Sequence, residues 1–367
     1  MRFTRAGQII VILLIIPFAT TSHGVPITVD PHAQCSPSLY EDIVVWMDMR
    51  HGNWDIYGYN RSTREEFPIA TDPHTQWEPE IYKDIVVWED DRHGNNDIYG
   101  FNRSTREEFQ ITTDLHDQEW AALYEDVVVW TDERHGSTDI YGFNRSTREE
   151  FQITTNPENQ YCPEIYGDYV VWIDERHGST DIYEFNRSTR EEFHITADAL
   201  DQHRIAIYGS TVVYEGMKDN YCNVYFYNLS SKEEFCIPAD PGDSCSPATF
   251  CPGIYENIIV WKDERHDNGD IYGYNMLTRQ EGALRAPGIQ VGPKIYGDFV
   301  VWTDYRNDNY DIYGCSLSDF DWYPFEPPRS LSFSELLKSV SEWFYVIPVV
   351  VIVLIALLIW MRKRASP

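Results

Sequence analysis

Basic residues are scarce in this chain: 29 Lys and Arg stand against 59 Asp and Glu, for a net charge of −30 over 367 residues. Such a surface repels polyanions and keeps a chain soluble at high salt, so nucleic acid is excluded as a partner. Acidic residues are in turn absent from both ends. Residues 1–24 and 344–367 hold no Asp or Glu but five of the cations, so the intervening chain carries 24 cations against 59 anions, or −35. No glycine-rich phosphate loop, zinc-protease helix or serine-nucleophile elbow occurs, which removes the enzyme classes that announce themselves by motif. No cofactor signature is present either. The Asp-x-His pairs (Asp30 and His32, Asp72 and His74, Asp114 and His116) stand one to a loop, which is no metal cage, so no metal site is expected. Cysteine is sparse and odd in number, seven in all.

Long apolar runs are missing from the interior of the chain; two exist, one near each end. In residues 1–24 the basic Arg2 and Arg5 precede the run Ile9 to Phe18 and the small residues Ala19 to Ser22, the pattern of a signal peptide. Phe344 to Trp360 has no charge, is bracketed by Trp343 and Trp360, and is followed by Arg362, Lys363 and Arg364. Seventeen residues at about 1.5 Å each come near the short limit for crossing a bilayer. The basic stop places the C-terminus inside. The expectation is a single-pass cell-membrane protein: signal peptide 1–24, ectodomain from 25, juxtamembrane stalk 317–343, transmembrane helix 344–360 and cytoplasmic tail 361–367.

What the interior does have is a period. Trp46, Trp88, Trp130 and Trp172 are 42 residues apart, each closing Val-Val-Trp, and Tyr214, Trp261 and Trp302 continue the series. Nine residues beyond each aromatic stands Asp-Ile-Tyr or, once, Asn223-Val224-Tyr225. A period in the low forties built of β-type segments marks a β-propeller. Seven copies give an all-β, seven-bladed propeller of four-stranded blades over 25–316. In the second copy the strands read as Pro79–Tyr82, Ile85–Trp88, Asp97–Phe101 and Glu107–Thr112, innermost first. Closure has two candidates, and the expectation is that residues 25–30 complete blade seven, because their match runs on through the following loop. Pro26 to Gln34 copies Pro68 to Gln76, a spare outer strand, while Asp321 to Phe325 occupies the register of Glu65 to Ile69.

The motif from Gly167-Asp168 to Phe185-Asn186 resembles the propeller repeat of archaeal, methanogen-type cell-surface proteins. It is similar, more distantly, to TolB-type propeller repeats. The resemblance implies the fold and a place at the cell surface, and says little about activity. The fifth repeat departs from it, with Tyr214 for Trp and with Gly216 and Lys218 for Asp and Arg.

Candidate functional residues follow from the repeats. The Asp-x-Arg pairs, Asp48 with Arg50 through Asp304 with Arg306, read as hairpin braces; six copies do not make one catalytic site. Asn60, Asn102, Asn144, Asn186 and Asn228 head Asn-x-Ser sequons at a turn, so they are glycosylation candidates or turn formers. Gln34, Gln76, Gln118, Gln160, Gln202 and Gln290 precede the inner strands, with Trp77, Trp120, Tyr161, His203 and Phe250 close by. Amides beside aromatic platforms suit sugar recognition at a channel mouth; the alternative is that each Gln bonds backbone between blades. Glu80 and Glu164 are repeated inner-strand acids, as an enzymatic propeller would need. Cys222 and Cys236 flank a hairpin and Cys245 and Cys251 an insertion, all disulfide candidates, while the pairing of Cys35, Cys162 and Cys315 is left open by their spacing. The expected function is non-catalytic binding or adhesion to an extracellular carbohydrate or protein. The alternative is a propeller-type polysaccharide lyase or glycosidase.

Overall fold

The computed structural model describes residues 24–28, 30–196, 201–218, 221–237, 252–264 and 269–324. Seven antiparallel sheets account for all of its strands. In each blade the second strand is the hydrophobic centre. Ile85–Asp90 and Val127–Asp132 are buried at every residue, because neighbouring blades cover both faces. Trp46, Trp88, Trp130, Trp172 and Trp302 have no exposed surface. The third strand carries glycine where the outer strand lays a phenylalanine across it: a Cβ on Gly100 would come within 2.6 Å of the Phe109 ring.

The Asp-x-Arg pairs brace the hairpins as their repetition implied, with more partners than a simple turn. Asp90 accepts from the Trp88 indole (3.1 Å), from the Arg92 backbone N–H (3.1 Å) and from the Arg92 guanidinium through Nε (2.8 Å) and Nη2 (2.6 Å). Nη1 of Arg92 reaches Glu108 on the outer strand at 2.7 Å, and the guanidinium stacks on Tyr99. The same set recurs in blades one, three and four.

The ring is closed by the N-terminal strand. Val25 and Pro26 pair with Gly314 and Tyr313 on the third strand of blade seven, and Ile27 N–H donates to Ile312 O at 2.7 Å. The rival segment does something else: Asp321–Pro324 adds a fifth strand to blade six, antiparallel to Gln280–Leu284. The chemistry of that docking is specific. Blade six has Gly282 where Phe67, Phe109 and Phe151 stand in sister blades, and Trp322 lies over it, within 2.8 Å of where a Cβ would be. The missing aromatic is thus supplied from a later segment. Replacing Trp322 with alanine is expected to cost about 2 kcal/mol in denaturant unfolding, since the half-buried indole has no substitute there. An unchanged midpoint would mean the fifth strand rests on the blade without holding it.

Among the described residues no helix is long and apolar enough to cross a membrane. The expected signal peptide (apart from Gly24), the expected transmembrane helix and tail, and most of the stalk lie outside them.

Candidate functional site

The lumen of the ring is lined by alternate residues of the inner strands, and a β-bulge decides which ones. In blade two the inner strand runs Gln76–Tyr82, three residues longer than the sequence indicated, and its register shifts between Trp77 and Glu80. The bulged residue sits in the left-handed region: Ser36, Glu78, Trp120, Cys162 and Arg204 have φ of 43–56° although none is glycine. Backbone strain of this kind needs strong support. Support comes from the neighbouring blade, where Glu89 accepts the Trp120 N–H (2.7 Å) and Thr131 the Cys162 N–H (3.1 Å).

Two rows of mixed polar and apolar residues result. The upper comprises the bulged residues, with Ser36 donating to Glu78 at 3.1 Å. Below it lie Ser38, Glu80, Ala122, Glu164, Ala206, Gly253 and Lys294. Glu80 accepts from Ser38 (2.7 Å) and from Lys294 (2.9 Å), which ties blades one, two and seven together across the lumen.

The lower end is aromatic. Tyr40, Tyr82, Tyr124, Tyr166, Tyr208, Tyr255 and Tyr296 form an unbroken annulus with successive ring centroids 4.5–5.0 Å apart. Successive planes turn by 43–61°, close to the step that sevenfold rotation imposes. Rings so close cannot lie flat against the wall without overlapping at their edges, so they stand partly edge-on and narrow this end. Burial, then the neighbouring phenols Tyr82 and Tyr166, hold Tyr124 well above the ordinary phenol range. Tyr124 therefore stays uncharged.

Electrostatically the wall is uneven. Burial pushes Glu89 up to about 8, with repulsion from Glu119 and Glu78 adding to it and the Trp120 N–H opposing it. Burial takes Glu164 up to about 7 against the pull of Lys294, and Glu215 up to about 7 against Arg204 and Lys262. Folding therefore takes up protons that the unfolded chain has released. Stability should fall as pH rises from the ordinary value of 4.5 towards about 8, and then level off. Glu89→Gln keeps an acceptor for Trp120 N–H and should flatten part of that slope. Denaturant midpoints between pH 5 and 8 check this; parallel profiles for the two proteins would refute it.

The glutamines do not face the opening. Gln34, Gln76, Gln118, Gln160, Gln202 and Gln290 are at most 1% exposed. The Gln76 amide donates to His74 O at 2.7 Å, Gln34, Gln118 and Gln160 repeat that bond two residues back, and Gln290 reaches Gly288 O at 3.0 Å. Thr196 donates to the Gln202 carbonyl at 2.8 Å. Five of the six thus brace their own entry loop, and Gln202 alone takes a bond from the end of the preceding blade. Trp77, Tyr161 and His203, the next residues along, are half-buried at the upper face, and Trp120 is 48% exposed. Phe250 lies outside the described residues.

The sequon asparagines shape their turns. Asn102 Oδ1 accepts from Ser104 N–H (3.0 Å) and Thr105 N–H (3.2 Å), and Ser104 Oγ donates to Asp84 at 2.6 Å. Asn60, Asn144, Asn186 and Asn228 make the same backbone bonds, and so does Asn275, which heads no sequon. The cross-strand cysteine pair is not in register: Cys236 lies opposite Tyr225 and Cys222 opposite Met217. Cys245 and Cys251 lie outside the described residues, and so does the Cys222 side chain. Among the described residues no His, Cys, Asp and Glu group could hold a metal ion.

No family model and no curated protein matches the chain. Solved structures do, at low identity. Oligogalacturonate lyase from Vibrio parahaemolyticus matches at TM-score 0.61 and 11% identity, covering 79% of this chain and 92% of that one. A puromycin-hydrolysing peptidase of Mycobacterium tuberculosis gives 0.64 and 10%, with 81% and 54% covered. The propeller domain of the Trilobed protease from Pyrococcus furiosus, reported to have an open velcro topology, gives 0.61 and 12%, with 83% and 99% covered. TolB from Acinetobacter baumannii is a more distant neighbour, at 0.48 and 13%; the chain covers 58% of its length. The first three likenesses establish the propeller.

Proposed function

We propose that the protein is an exported, membrane-anchored propeller that binds an extracellular carbohydrate or protein at the upper end of its channel, without chemically altering it. The observation that carries this reading is where the repeats stop being copies. In the first four blades the third and outer strands and their turns are near duplicates, from Asp-Ile-Tyr to Glu-Glu-Phe. The bulge row reads Ser36, Glu78, Trp120, Cys162, and the row below it Ser38, Glu80, Ala122, Glu164. A ring needed only as a spacer has no use for a strained, varied and partly charged lumen. The tyrosine annulus narrows the lower end, which favours approach from above. Glycans at the five sequons, if attached, would crowd the lower face and leave the upper one clear. The resemblance to archaeal cell-surface repeats fits a place outside the membrane, with the C-terminus inside.

A second reading, a propeller-type lyase or glycosidase, draws on Glu164, protonated near neutral pH, facing the ion-paired Glu80. An acidic sugar chain would meet Glu78, Glu80 and Glu164 on that wall, where Lys294 is already paired with Glu80, which favours binding of a neutral partner over lysis of a uronate. A glycan array with the full chain, followed by a turnover assay on every hit, separates the readings. The expected result is a ligand recovered intact, with binding weakened at least tenfold by Glu80→Gln combined with Lys294→Met and unchanged by Asn→Gln at the sequons. Release of a cleaved product would establish the enzyme instead.

A further inference from the structure

A second departure from the repeat lies on the upper face, outside the lumen. Three positions come together there at the described blade junctions: the residue after the second strand, the residue before the third strand, and the second residue of the inner strand that follows in the next blade. Side chains at these positions touch. Asn96 Nδ2 donates to Glu119 across blades two and three at 2.8 Å, and Tyr161 Oη donates to Glu175 within blade four at 3.3 Å. Through blades two to four the set is polar but for one aromatic, Tyr161: it holds Asp91, Asn96, Glu119, Glu133, Thr138 and Glu175. From blade seven through blade one to blade two it becomes Tyr305, Tyr310, Cys35, Met49, Trp54 and Trp77.

The backbone carries these residues into one arc. Gln34 N–H donates to Tyr310 O (2.7 Å) and Gln76 N–H to Trp54 O (2.8 Å), which seats each aromatic beside the next inner strand. Trp54, Trp77 and Cys35 pack on the same core cluster. At the far end the Tyr305 and Tyr310 rings stand 4.9 Å apart and tilted 46°, 39% and 47% exposed, beside Ile289 at 46%. The blades that share this character, seven and one, are neighbours only because the ring closes, so chance similarity of adjacent repeats does not account for it.

We propose that this arc is a subsite for a neutral pyranose chain, whose apolar ring faces stack on Tyr305, Tyr310 and Trp54. The inference rests on the binding reading above and names its ligand class. Charge selects against acidic glycans: the ectodomain is strongly anionic, and the nearest guanidinium groups are already committed. Arg50 is held by Asp48 at 2.8 and 2.6 Å, and Arg306 by Asp304 at 2.8 and 2.6 Å. A sulfated or uronic chain would find no free cation there, whereas a neutral one needs only ring faces and hydroxyl partners.

The test uses the full chain on an array of neutral hexose and N-acetylhexosamine oligosaccharides, with oligogalacturonate and a sulfated glycan alongside. The expected result is binding confined to neutral oligosaccharides, at least tenfold weaker for Tyr305→Ala/Tyr310→Ala and retained by Tyr305→Phe/Tyr310→Phe. Both variants should melt as the wild type does, because the bonds that place Tyr310 come from its backbone. Wild-type binding by the alanine variant, with loss in Glu80→Gln/Lys294→Met, would overturn the arc and leave the binding function standing. Preference for the acidic glycans would overturn the charge argument and the arc with it. Absence of any glycan binding would overturn the carbohydrate class, and so the arc.

Discussion

Asp132→Ala should be among the most destabilising single substitutions in the ring, costing about 3–5 kcal/mol in denaturant unfolding. The Asp132 carboxylate is fully buried and accepts from four donors: the Trp130 indole (2.9 Å), the Arg134 N–H (3.0 Å), and Arg134 Nε (2.7 Å) and Nη2 (2.6 Å). Removing it strands an indole N–H that has no exposure and a guanidinium that cannot lose its charge. Arg134 retains Glu150 at 2.6 Å and its stacking on Tyr141, so the residual cost falls on the blade centre. Asp132→Asn keeps one acceptor and should lose less. Arg134→Ala added to Asp132→Ala should recover part of the loss, because the unpaired cation goes with it. A cost below about 1 kcal/mol for Asp132→Ala would show that the brace is ornamental.

The brace was legible because it depends on local spacing alone: Trp, then Asp two residues on, then Arg two further. Strand number and closure were legible for a similar reason, since Pro26 to Gln34 repeats an outer strand and the loop after it. The lumen was not. The glutamines read as a rim around the opening because the chain enters each inner strand at the channel mouth, and plain alternation would keep Gln76 on one face with Glu78, Glu80 and Tyr82. The bulge after Trp77 reverses the parity, sending Gln76 between the blades and the other three into the channel. Its left-handed residue is serine, glutamate, tryptophan, cysteine or arginine in five blades and glycine only in blade seven, at Gly292, so no repeated glycine marked it. The tyrosine annulus recurs in all seven copies at the end of the inner strand, but only the bulge reveals which way Tyr82 points. The fifth strand of blade six did leave a sign, a glycine at position 282 where its sisters carry phenylalanine.

Deleting residues 24–28 should cost at least about 3 kcal/mol and several degrees of melting temperature, with self-association of the product. These residues form the outer strand of blade seven, and their loss exposes the edge of Asp311–Ser316, whose partners Gly314 and Tyr313 are otherwise taken by Val25 and Pro26. It also removes the Ile27 N–H donated to Ile312 O at 2.7 Å, and Ile27 itself, which packs on a cluster shared by blades one and seven that includes Trp46, Tyr57 and Val301. Gly24 lies so close over Trp302 that a Cβ there would fall 2.5 Å from the indole, so the indole loses its cover as well. The C-terminal strand does not compensate, since Asp321–Pro324 is committed to blade six. An open edge of this kind recruits other edges. Size-exclusion chromatography should therefore show oligomers of the deletion variant, and a synthetic peptide of residues 24–33 added in trans should restore both the monomer and part of the melting temperature. A deletion variant that stays monomeric and melts with the full chain would mean that the N-terminal strand decorates the last blade without closing the ring.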